Sequence, residues 1–329
     1  MAISSDLLSS TLFSIRDTEV DALYNKVAVL DGMRKNGGVE SINGGIKIQR
    51  PLSIQDHSGI TQLQSGYEPV DLAVQNVLQP AIYDWCDFTQ PIVISKKEEM
   101  ENSSEHAQIR IVEARMRNVM ASLRRELNKQ ILSGRSTVLS DMNTLNGLDI
   151  STGFLENAAP LAQVGTVGGL SKGTYLVDGW HNRYLDASAG FAISDLYDMY
   201  IDANAVAPAG DVSHLIMSKG AMASYRDALF AQERFVQSDK LDGGRMVLAF
   251  NGAGAEYDPV MGFTADSDVV SAYMLNYDGI KLVFHPEGDF NVSPFENISG
   301  TTARAALLYV KVQLVADHLG SQGLYVNAG

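Results

Sequence analysis

The feature of the sequence that most constrains the fold is one long helical pattern between residues 102 and 134. Asn102 is a candidate N-cap, Glu105 completes a capping-box-like arrangement three residues later, and Gly134 is the natural stop. About thirty residues at 1.5 Å each give a rod roughly 45 Å long, which exceeds the ordinary globular helix. One side of the rod is apolar at helical spacing, through Ile109, Val112, Met116, Val119, Leu123, Leu127 and Ile131.

The polar side of this rod is basic, although the chain as a whole is acidic. This side carries six cationic residues but only three glutamates. The cationic residues are Arg110, Arg115, Arg117, Arg124, Arg125 and Lys129, and the glutamates are Glu105, Glu113 and Glu126. Two interpretations stay open. The face could contact nucleic acid loosely, or it could be a solvated surface that is stabilised by i,i+4 pairs such as Glu113 with Arg117.

A second regular pattern lies near the C-terminus, where residues 303–316 alternate between apolar and polar positions. A short GLYV strand follows at 323–326. A strand with one apolar face needs a cover, and the long rod is the uncommitted element of matching length. We therefore expect the C-terminus to fold back onto the long helix. The apolar face consists of Ala306, Leu308, Val310, Val312, Leu314 and Ala316.

The segment between Gly44 and Gly66 changes to a period of two, with a turn predicted at 57–59 and a second run after it. Pro51 interrupts the ladder, so the segment looks like an arm that projects from the body. An isolated two-stranded ribbon is marginal in water, so this one should lie on another surface, either of its own body or of a neighbouring subunit. The apolar positions of the first run are Ile46, Ile48, Leu52 and Ile54.

The remaining patterns complete a mixed architecture. Residues 17–35 predict one amphipathic helix, which ends at the Asn-Gly-Gly sequence of 36–38. From 145 to 294 the composition shifts to Gly, Ala, Asp and Tyr, and this stretch reads as an inserted α+β unit. Its predicted helices are 194–207 and 219–232, and its predicted strands are HLIMS, MVLAF, VVSAYML and IKLVFH.

Composition excludes several classes of protein. The chain has 329 residues with 25 Lys plus Arg against 39 Asp plus Glu, a net charge of -14, so a sequence-specific nucleic-acid binder is not expected. Cys86 is the only cysteine, which excludes an intramolecular disulfide and fits a small buried hydrophobe. No apolar stretch approaches the roughly 20 residues that cross a bilayer, and the N-terminus lacks the features of a signal peptide.

The search for chemistry gives little. The six histidines are scattered, without a pair at metal-ligand spacing on one helix. The Gly-rich segments 165–169 and 251–256 match no nucleotide-binding loop and predict plain loops, and no nucleophile motif appears. We therefore expect no catalytic residue, no metal and no cofactor. A remote enzyme reading places a small-molecule pocket near Asp178, Trp180 and His181.

The order of the elements resembles that of the major capsid proteins of tailed bacteriophages. The stretch QPIVISKKEEMENSSEHAQIRIVEARMRNVMASLRRELNKQILSG at 90–134 is similar to the strand, acidic-polar linker and spine helix of that family. The tail ARAALLYVKVQLVADHLGSQGLYV at 303–326 is similar to its closing strands. The likeness covers nearly the whole chain and implies an α+β, HK97-like capsid fold.

The resemblance also implies a division into parts. These are an N-terminal arm at 1–37, an extended hairpin loop at 38–80, a peripheral domain with the spine helix at 81–144 plus 295–329, and an inserted axial domain at 145–294. No long helical prosegment precedes the arm, so an internal scaffolding domain is not expected in this chain.

The contacts that the resemblance implies are those of a shell subunit. The hairpin would reach over an adjacent subunit through Ile46, Ile48, Leu52, Ile54, His57, Ile60 and Leu63. A lumenal basic face would consist of Arg110, Arg117, Arg124 and Arg125. The expected partners are copies of the same chain in pentamers and hexamers, genomic DNA held without sequence specificity, a portal, and either a separate scaffolding protein or none, but no membrane. The expected location is the virion capsid, with assembly in the host cytoplasm.

The main alternative is an encapsulin-like compartment, which would use a similar fold to enclose a cargo protein instead of DNA. Co-purified nucleic acid would favour the virus, and a folded cargo protein would favour the compartment.

Overall fold

The computed structural model describes most of the chain: residues 27–53, 78–101, 105–133, 165–174, 180–186, 191–206, 211–231, 246–259 and 270–327, the pairs 15–16, 19–20, 154–155 and 239–240, and residues 10, 12, 62 and 66. Its helices are α1 (Ala28–Lys35), α2 (Lys96–Glu101), α3 (Glu105–Ser133), α4 (Ile193–Val206) and α5 (Lys219–Ala231), with a 3-10 turn at Pro286–Gly288.

The strands form two large sheets and two small ones. They are β1 (Val39–Ser41), β2 (Lys47–Ser53), β3 (Leu78–Asp84), β4 (Cys86–Ser95), β5 (Thr166–Val167), β6 (Leu170–Ser171), β7 (Arg183–Asp186), β8 (His214–Met217), β9 (Asp239–Lys240), β10 (Met246–Phe250), β11 (Ala253–Tyr257), β12 (Val270–Leu275), β13 (Ile280–Phe284), β14 (Asn291–Val292), β15 (Glu296–Asn297), β16 (Ala303–Ala316) and β17 (Gly323–Asn327).

The six-stranded sheet is built around β16, the alternating segment near the C-terminus. On one side β16 pairs with β4 in an antiparallel ladder from Ala303–Ser95 to Val312–Cys86, and on the other it pairs with β13, β14 and β15. Strand β1 runs parallel to β13 at the edge. The predicted apolar face of β16 is buried along its length, because the alternation places those side chains on one side of the sheet.

Helix α3 covers that buried face, as the sequence predicted. Its apolar stripe belongs to the same hydrophobic core as Leu308, Val310 and Val312 of β16. The observed bounds, Glu105–Ser133, agree with the predicted rod, while the candidate cap Asn102 and the stop at Gly134 lie outside the described residues. The fold-back of residues 303–316 onto the long helix is confirmed.

The seven-stranded sheet has the order β7-β17-β12-β8-β11-β10-β9, and its middle strands are covered on both faces. One face, with Ile216, Tyr273 and Leu275, packs into the core that contains α1 and α3. The other face, with Leu215 and Met217 among others, packs against α4 and α5. This arrangement explains why every residue of β8 is buried and why the HLIM segment shows no alternation.

Two strands belong to a different large sheet from the one that the sequence predicted. The closing strand β17 was expected beside the long helix, but it pairs between β7 and β12 in the seven-stranded sheet. Its residues Leu324, Tyr325 and Val326 are all buried, so it needs a central position with cover on both faces. Strand β13, expected in the inserted unit, pairs with β16 in the six-stranded sheet. Two further segments were wrongly expected to be loops: after a turn at Asn251–Gly252, residues 253–257 form β11, and the 165–171 stretch forms a tight β5–β6 hairpin.

The N-terminal helix is shorter than its pattern predicted. Val27 is extended, with φ of -113° and ψ of 122°, so α1 begins at Ala28 and a single helix over 17–35 is wrong. Its predicted end is confirmed, because Asn36 donates from its backbone and side chain to Gly32 O at 3.1 and 2.8 Å. Earlier in the chain, Leu12 is fully buried in the core of its own chain.

The ribbon that contains β2 has a different partner from the one expected. Strand β2 pairs antiparallel with β3, from Lys47–Asp84 to Ser53–Leu78, whereas the run from Ile60 that was expected as its partner lies largely outside the described residues. The register leaves 24 residues, 54–77, between the two strands. The sequence pattern had predicted a short connection, with a turn at 57–59. Alternation marks apolar faces but does not identify which strand pairs with which, so the prediction chose the nearest alternating run. The expected turn at 57–59 lies outside the described residues.

Candidate assembly surfaces

The β2–β3 ribbon is anchored to its own chain by an ion-pair cluster at its base. The Arg50 guanidinium contacts the Glu40 carboxylate through both terminal nitrogens, and its Nε lies 3.4 Å from Asp317 Oδ1. Burial raises the pKa of the Asp317 carboxyl, while the nearby Arg50 and Lys281 oppose that rise. The cluster joins β1, β2 and the residue after β16, so it holds the ribbon against the six-stranded sheet.

A buried tyrosine makes a second anchor beside it. The Tyr83 hydroxyl donates to Ala316 O at 3.2 Å and accepts from Ala316 N at 3.3 Å. Burial raises the pKa of Tyr83, so this hydroxyl stays protonated and can act as both donor and acceptor. On the far side of β3, Ile82 N donates to Gly168 O at 2.9 Å. A Cβ at Gly168 would lie 2.8 Å from Ala81 Cβ, and its φ of 58° also favours glycine.

The predicted contact residues of the hairpin separate into three groups. Ile48 and Leu52 are buried in the core of their own chain, which removes their side chains from contact with another subunit. Ile46 is 93% exposed. Ile54, His57, Ile60 and Leu63 lie outside the described residues.

The outward face of the ribbon is apolar at positions that the sequence reading did not single out. Leu78 and Ile82 of β3 are 61% and 40% exposed, and Pro51 pairs with Pro80 between them. Ile82 N points away from β2, to Gly168 O, so Pro51 and Pro80 form a non-hydrogen-bonded pair that costs the ribbon's ladder no donor. The apolar side chains of this outer ribbon face are Pro51, Leu78, Pro80 and Ile82, which share the face with Lys47, Gln49, Ser53 and Asp84.

A second exposed apolar surface lies on the six-stranded sheet, on the face of β4 and β16 opposite α3. Leu307 of β16 is 50% exposed and is the cross-strand partner of Pro91. Val93, 39% exposed, is the cross-strand partner of Ala305. We call these four residues the open ladder face. Adjacent apolar pairs of this kind on an exposed sheet are typical of a surface that contacts another protein.

The four arginines predicted on the polar side of the long helix do share that side. Arg110, Arg117 and Arg125 are exposed and Arg124 is half-buried. The suggested pair of Arg117 with Glu113 is wrong, because Arg117 Nε lies 3.4 Å from Glu19 Oε1 instead. Within the described part of the chain, the other three make no ion pair.

The region of the remote enzyme reading is packed as core. Trp180 is 2% exposed, and Asp178 lies outside the described residues. Burial, together with the nearby His181 and Arg183, lowers the pKa of His318 to about 4. Among the described residues no group of three His, Cys, Asp or Glu side chains could hold a metal ion. Burial raises the pKa of the Cys86 thiol to about 11, as expected for a buried cysteine that stays protonated.

A cavity of about 310 Å³ lies between α3 and the middle of the β4–β16 ladder. Its walls mix apolar and polar side chains, which are Phe88, Thr89, Gln90, Ser122, Leu123, Glu126 and Leu308. None of the helices in the described part of the chain is both long and apolar enough to span a membrane.

Comparison with known proteins separates fold from sequence. No protein-family model matches the chain, and no curated protein matches it in sequence. Among solved structures, the cyanophage A-1(L) capsid matches with a TM-score of 0.59 and 13% identity over 89% of this chain and 92% of that one. The fold is HK97-like. The capsid of an empty GTA particle matches this HK97-like chain with a TM-score of 0.56 and 12% identity, over 91% and 90% of the two chains.

The holo-SrpI encapsulin complex of Synechococcus elongatus PCC 7942 also shares the HK97-like fold. Its TM-score is 0.55 at 12% identity, over 89% of this chain and 86% of that one. The predicted α+β, HK97-like fold class is thus confirmed, and the neighbours include both phage capsids and an encapsulin.

Sequence reasoning missed the residues that anchor the ribbon. Arg50 and Tyr83 lie at ordinary positions in alternating segments. The partners of Arg50 are Glu40 and Asp317, which are 10 and 267 positions away in the sequence, and the partner of Tyr83 is Ala316. The one available signal was the polar residue before Pro51, which is weak.

Proposed function

We propose that this chain is the major capsid protein of a tailed bacteriophage, which assembles into an icosahedral head shell around the DNA genome. The observation that carries the proposal is the combination of an HK97-like fold with an anchored ribbon whose outer face exposes Leu78 and Ile82 beside the Pro51–Pro80 pair. Residues 1–37 serve as the N-terminal arm, and the ribbon, extended to residue 84 by its observed pairing, serves as the extended loop.

The mechanism is physical assembly. The outer ribbon face of one subunit lies on the open ladder face of the next. Each subunit therefore contacts one neighbour through its ribbon and another neighbour through its open ladder face. Such a heterologous contact closes a ring when the rotation fits. Burial of apolar area contributes about 25 cal/mol per Å², so a contact that is weak alone becomes strong when it repeats around a closed shell.

The interior of the shell requires a surface that tolerates DNA. The exposed arginines of α3, Arg110, Arg117 and Arg125 together with Arg124, supply local positive charge in a chain of net charge -14. They would bind phosphates without sequence preference. The partners in this proposal are further copies of the chain as pentamers and hexamers, the genome, a portal and a separate scaffolding protein. The location is the virion, after assembly in the host cytoplasm.

A second candidate is the shell of an encapsulin-like compartment. The observation that favours it is the match to the holo-SrpI encapsulin complex, which scores within 0.04 in TM-score of the cyanophage capsid. Both candidates are structural proteins, and neither requires catalysis.

The test is to express the chain, alone and with neighbouring genes, and to image the product by electron microscopy. Closed particles with co-purified DNA support the phage head, and particles with a folded protein inside support the compartment. A product that stays monomeric or dimeric under every salt and scaffold condition contradicts both.

The ribbon has its own test. Leu78 and Ile82 are both replaced by serine, which removes the exposed apolar side chains of the outer ribbon face and keeps the pairing of β2 with β3. The subunits should stay folded, because Arg50 and Tyr83 keep their partners, but they should fail to close into shells. Normal shells from this variant would refute the role of the ribbon as the contact between subunits.

A further inference from the structure

The C-terminal half of α3 lies against one face of the seven-stranded sheet, and that face is partly polar. Glu256, Ile216 and Tyr273 are cross-strand partners in β11, β8 and β12, so their side chains form one row on the same face. His214 lies on this face as well, two residues before Ile216. The row packs against the core that contains Leu127 and Ile131 of the helix.

Hydrogen bonds at two buried places connect α3 to this sheet. Asn128 Nδ2 donates to both carboxylate oxygens of Asp258, at 3.2 and 3.1 Å. The Tyr273 hydroxyl donates to Leu132 O at 3.1 Å. Asn128 and Leu132 are one helical turn apart, and Asp258 follows β11 while Tyr273 lies in β12, with β8 between them. The anchor strands are therefore about 10 Å apart, so the bonds at the two places together oppose rotation of the sheet about the helix axis.

Helix α1 closes the same joint from a third side. A Cβ at Gly32 would lie 2.6 Å from Tyr277 Oη and 2.7 Å from His214 Nδ1, so the helix backbone touches these side chains directly. Those two atoms are themselves hydrogen-bonded at 2.7 Å, and His214 Nε2 lies 3.9 Å from Glu256 Oε2. The three elements are therefore in close contact at this joint.

We propose that the Asn128–Asp258 contact fixes the angle between α3 and the seven-stranded sheet, and thereby sets the curvature and diameter of the shell. This inference rests on the proposed function. Apolar side chains tolerate sliding, but a buried carboxylate that loses its amide donor is strongly penalised, so the contact allows one angle. In a closed shell the angle within each subunit repeats at every position, so a small change alters the number of subunits at closure.

The first experiment compares particle diameters. Asn128→Leu keeps the branched shape and the number of side-chain heavy atoms but removes both hydrogen bonds to Asp258, and Gln130→Leu is the matched control, because Gln130 bonds only to the exposed Glu126 among the described residues. We expect Asn128→Leu to form particles with a shifted or broadened diameter distribution, and Gln130→Leu to match the parent. Particles of unchanged diameter from a folded Asn128→Leu subunit would overturn the inference.

The second experiment measures the angle in unassembled subunits, so its result does not depend on shell formation. Spin labels at Ser122 of α3 and Ala223 of α5, in a Cys86→Ala background, report one distance between the helix and the sheet. We expect a narrow distribution in the parent and a shifted or wider one in Asn128→Leu. An unchanged distribution contradicts the joint, whereas a failure of the parent to form shells contradicts the proposed function. Tyr273→Phe removes the other bond alone and should give a smaller change of the same kind.

Discussion

The two halves of strand β16 have the same alternating sequence but different surroundings. In the N-terminal half, Leu308 and Val310 are buried under α3 while Leu307 on the opposite face is half exposed. In the C-terminal half both faces are buried, so that Gln313 and Val315 are as inaccessible as Val312 and Leu314. One regular strand is thus an open surface at one end and part of the core at the other.

The cause of the difference is the base of the ribbon. Gln313 Nε2 donates to Asp84 O at 2.5 Å, and Tyr83 bonds to the backbone of Ala316. Arg50 then pairs with Asp317 just beyond the strand. The chain covers the C-terminal half of β16 with its own ribbon base and leaves the N-terminal half uncovered, which is where the proposed contact with a neighbouring ribbon lies.

The largest expected effect tests the buried face of the open half. Leu308→Ala removes a buried side chain that also lines the cavity beneath α3, so relaxation cannot fill the space. We expect the free energy of unfolding to fall by about 2–5 kcal/mol, measured by urea denaturation of the unassembled subunit. A loss below about 1 kcal/mol would show that α3 contributes little to holding this half of the strand.

The next effect tests the crossing from one sheet to the other, where His318 lies between β16 and β17. Its pKa falls from 6.5 to about 4 in the folded chain, chiefly because burial disfavours the charged form. Between these pH values the unfolded chain binds more protons, so stability rises with pH and is lost as the pH falls, by at most about 1.4 kcal/mol per unit. His318→Gln should reduce this slope in urea titrations at a series of pH values. An equal slope in parent and variant would contradict the assignment.

A smaller effect tests the covered half against the open half through two tyrosines. Tyr83→Phe leaves the backbone N–H and C=O of Ala316 without their hydroxyl partner and should cost about 1–2 kcal/mol. Tyr309→Phe is the control, because its hydroxyl donates to the exposed Asp87 at 2.8 Å on the open half. That variant should change the free energy of unfolding by less than about 0.5 kcal/mol. Equal costs would remove the distinction between the two halves.

The smallest effect on the subunit tests the open face itself. Leu307→Ser changes a half-exposed side chain, so we expect a change of about 0.5 kcal/mol or less in the free energy of unfolding. The yield of closed particles should nevertheless fall, because the substitution removes apolar area from the proposed contact between subunits. Unchanged assembly, measured by sedimentation and electron microscopy, would exclude the open ladder face from that contact.

The reliable sequence predictions were those in which the hydrophobic periodicity of one segment shows which of its faces is buried. The stripe from Val112 to Ile131 and the alternation over 303–316 gave α3 and β16 with nearly correct bounds, because each pattern shows how one element faces the core. The predictions that failed concerned which strands pair with each other. Strands β2 and β3 pair although residues 54–77 separate them in the sequence. Strand β17 belongs to the seven-stranded sheet because it pairs there with β12 and β7, which no local pattern predicts.

The candidate surfaces follow the same division. The sequence identified the ribbon as an unusual element and grouped Ile46, Ile48 and Leu52 as contact residues, but only Ile46 of the three is exposed, and Ile48 and Leu52 are core residues. The open ladder face includes Val93 and Leu307, which look like ordinary alternating strand residues until the sheet shows that nothing in the described part of the chain packs over them.

By itself the sequence determined two elements, a long amphipathic helix and a strand of fourteen alternating residues, because hydrophobic periodicity acts over a few residues. The tertiary structure alone decided which faces stay open. Whether Leu307 or Val315 reaches solvent depends on Arg50, Tyr83 and Asp84, more than 200 positions away, and no local pattern records such long-range contacts.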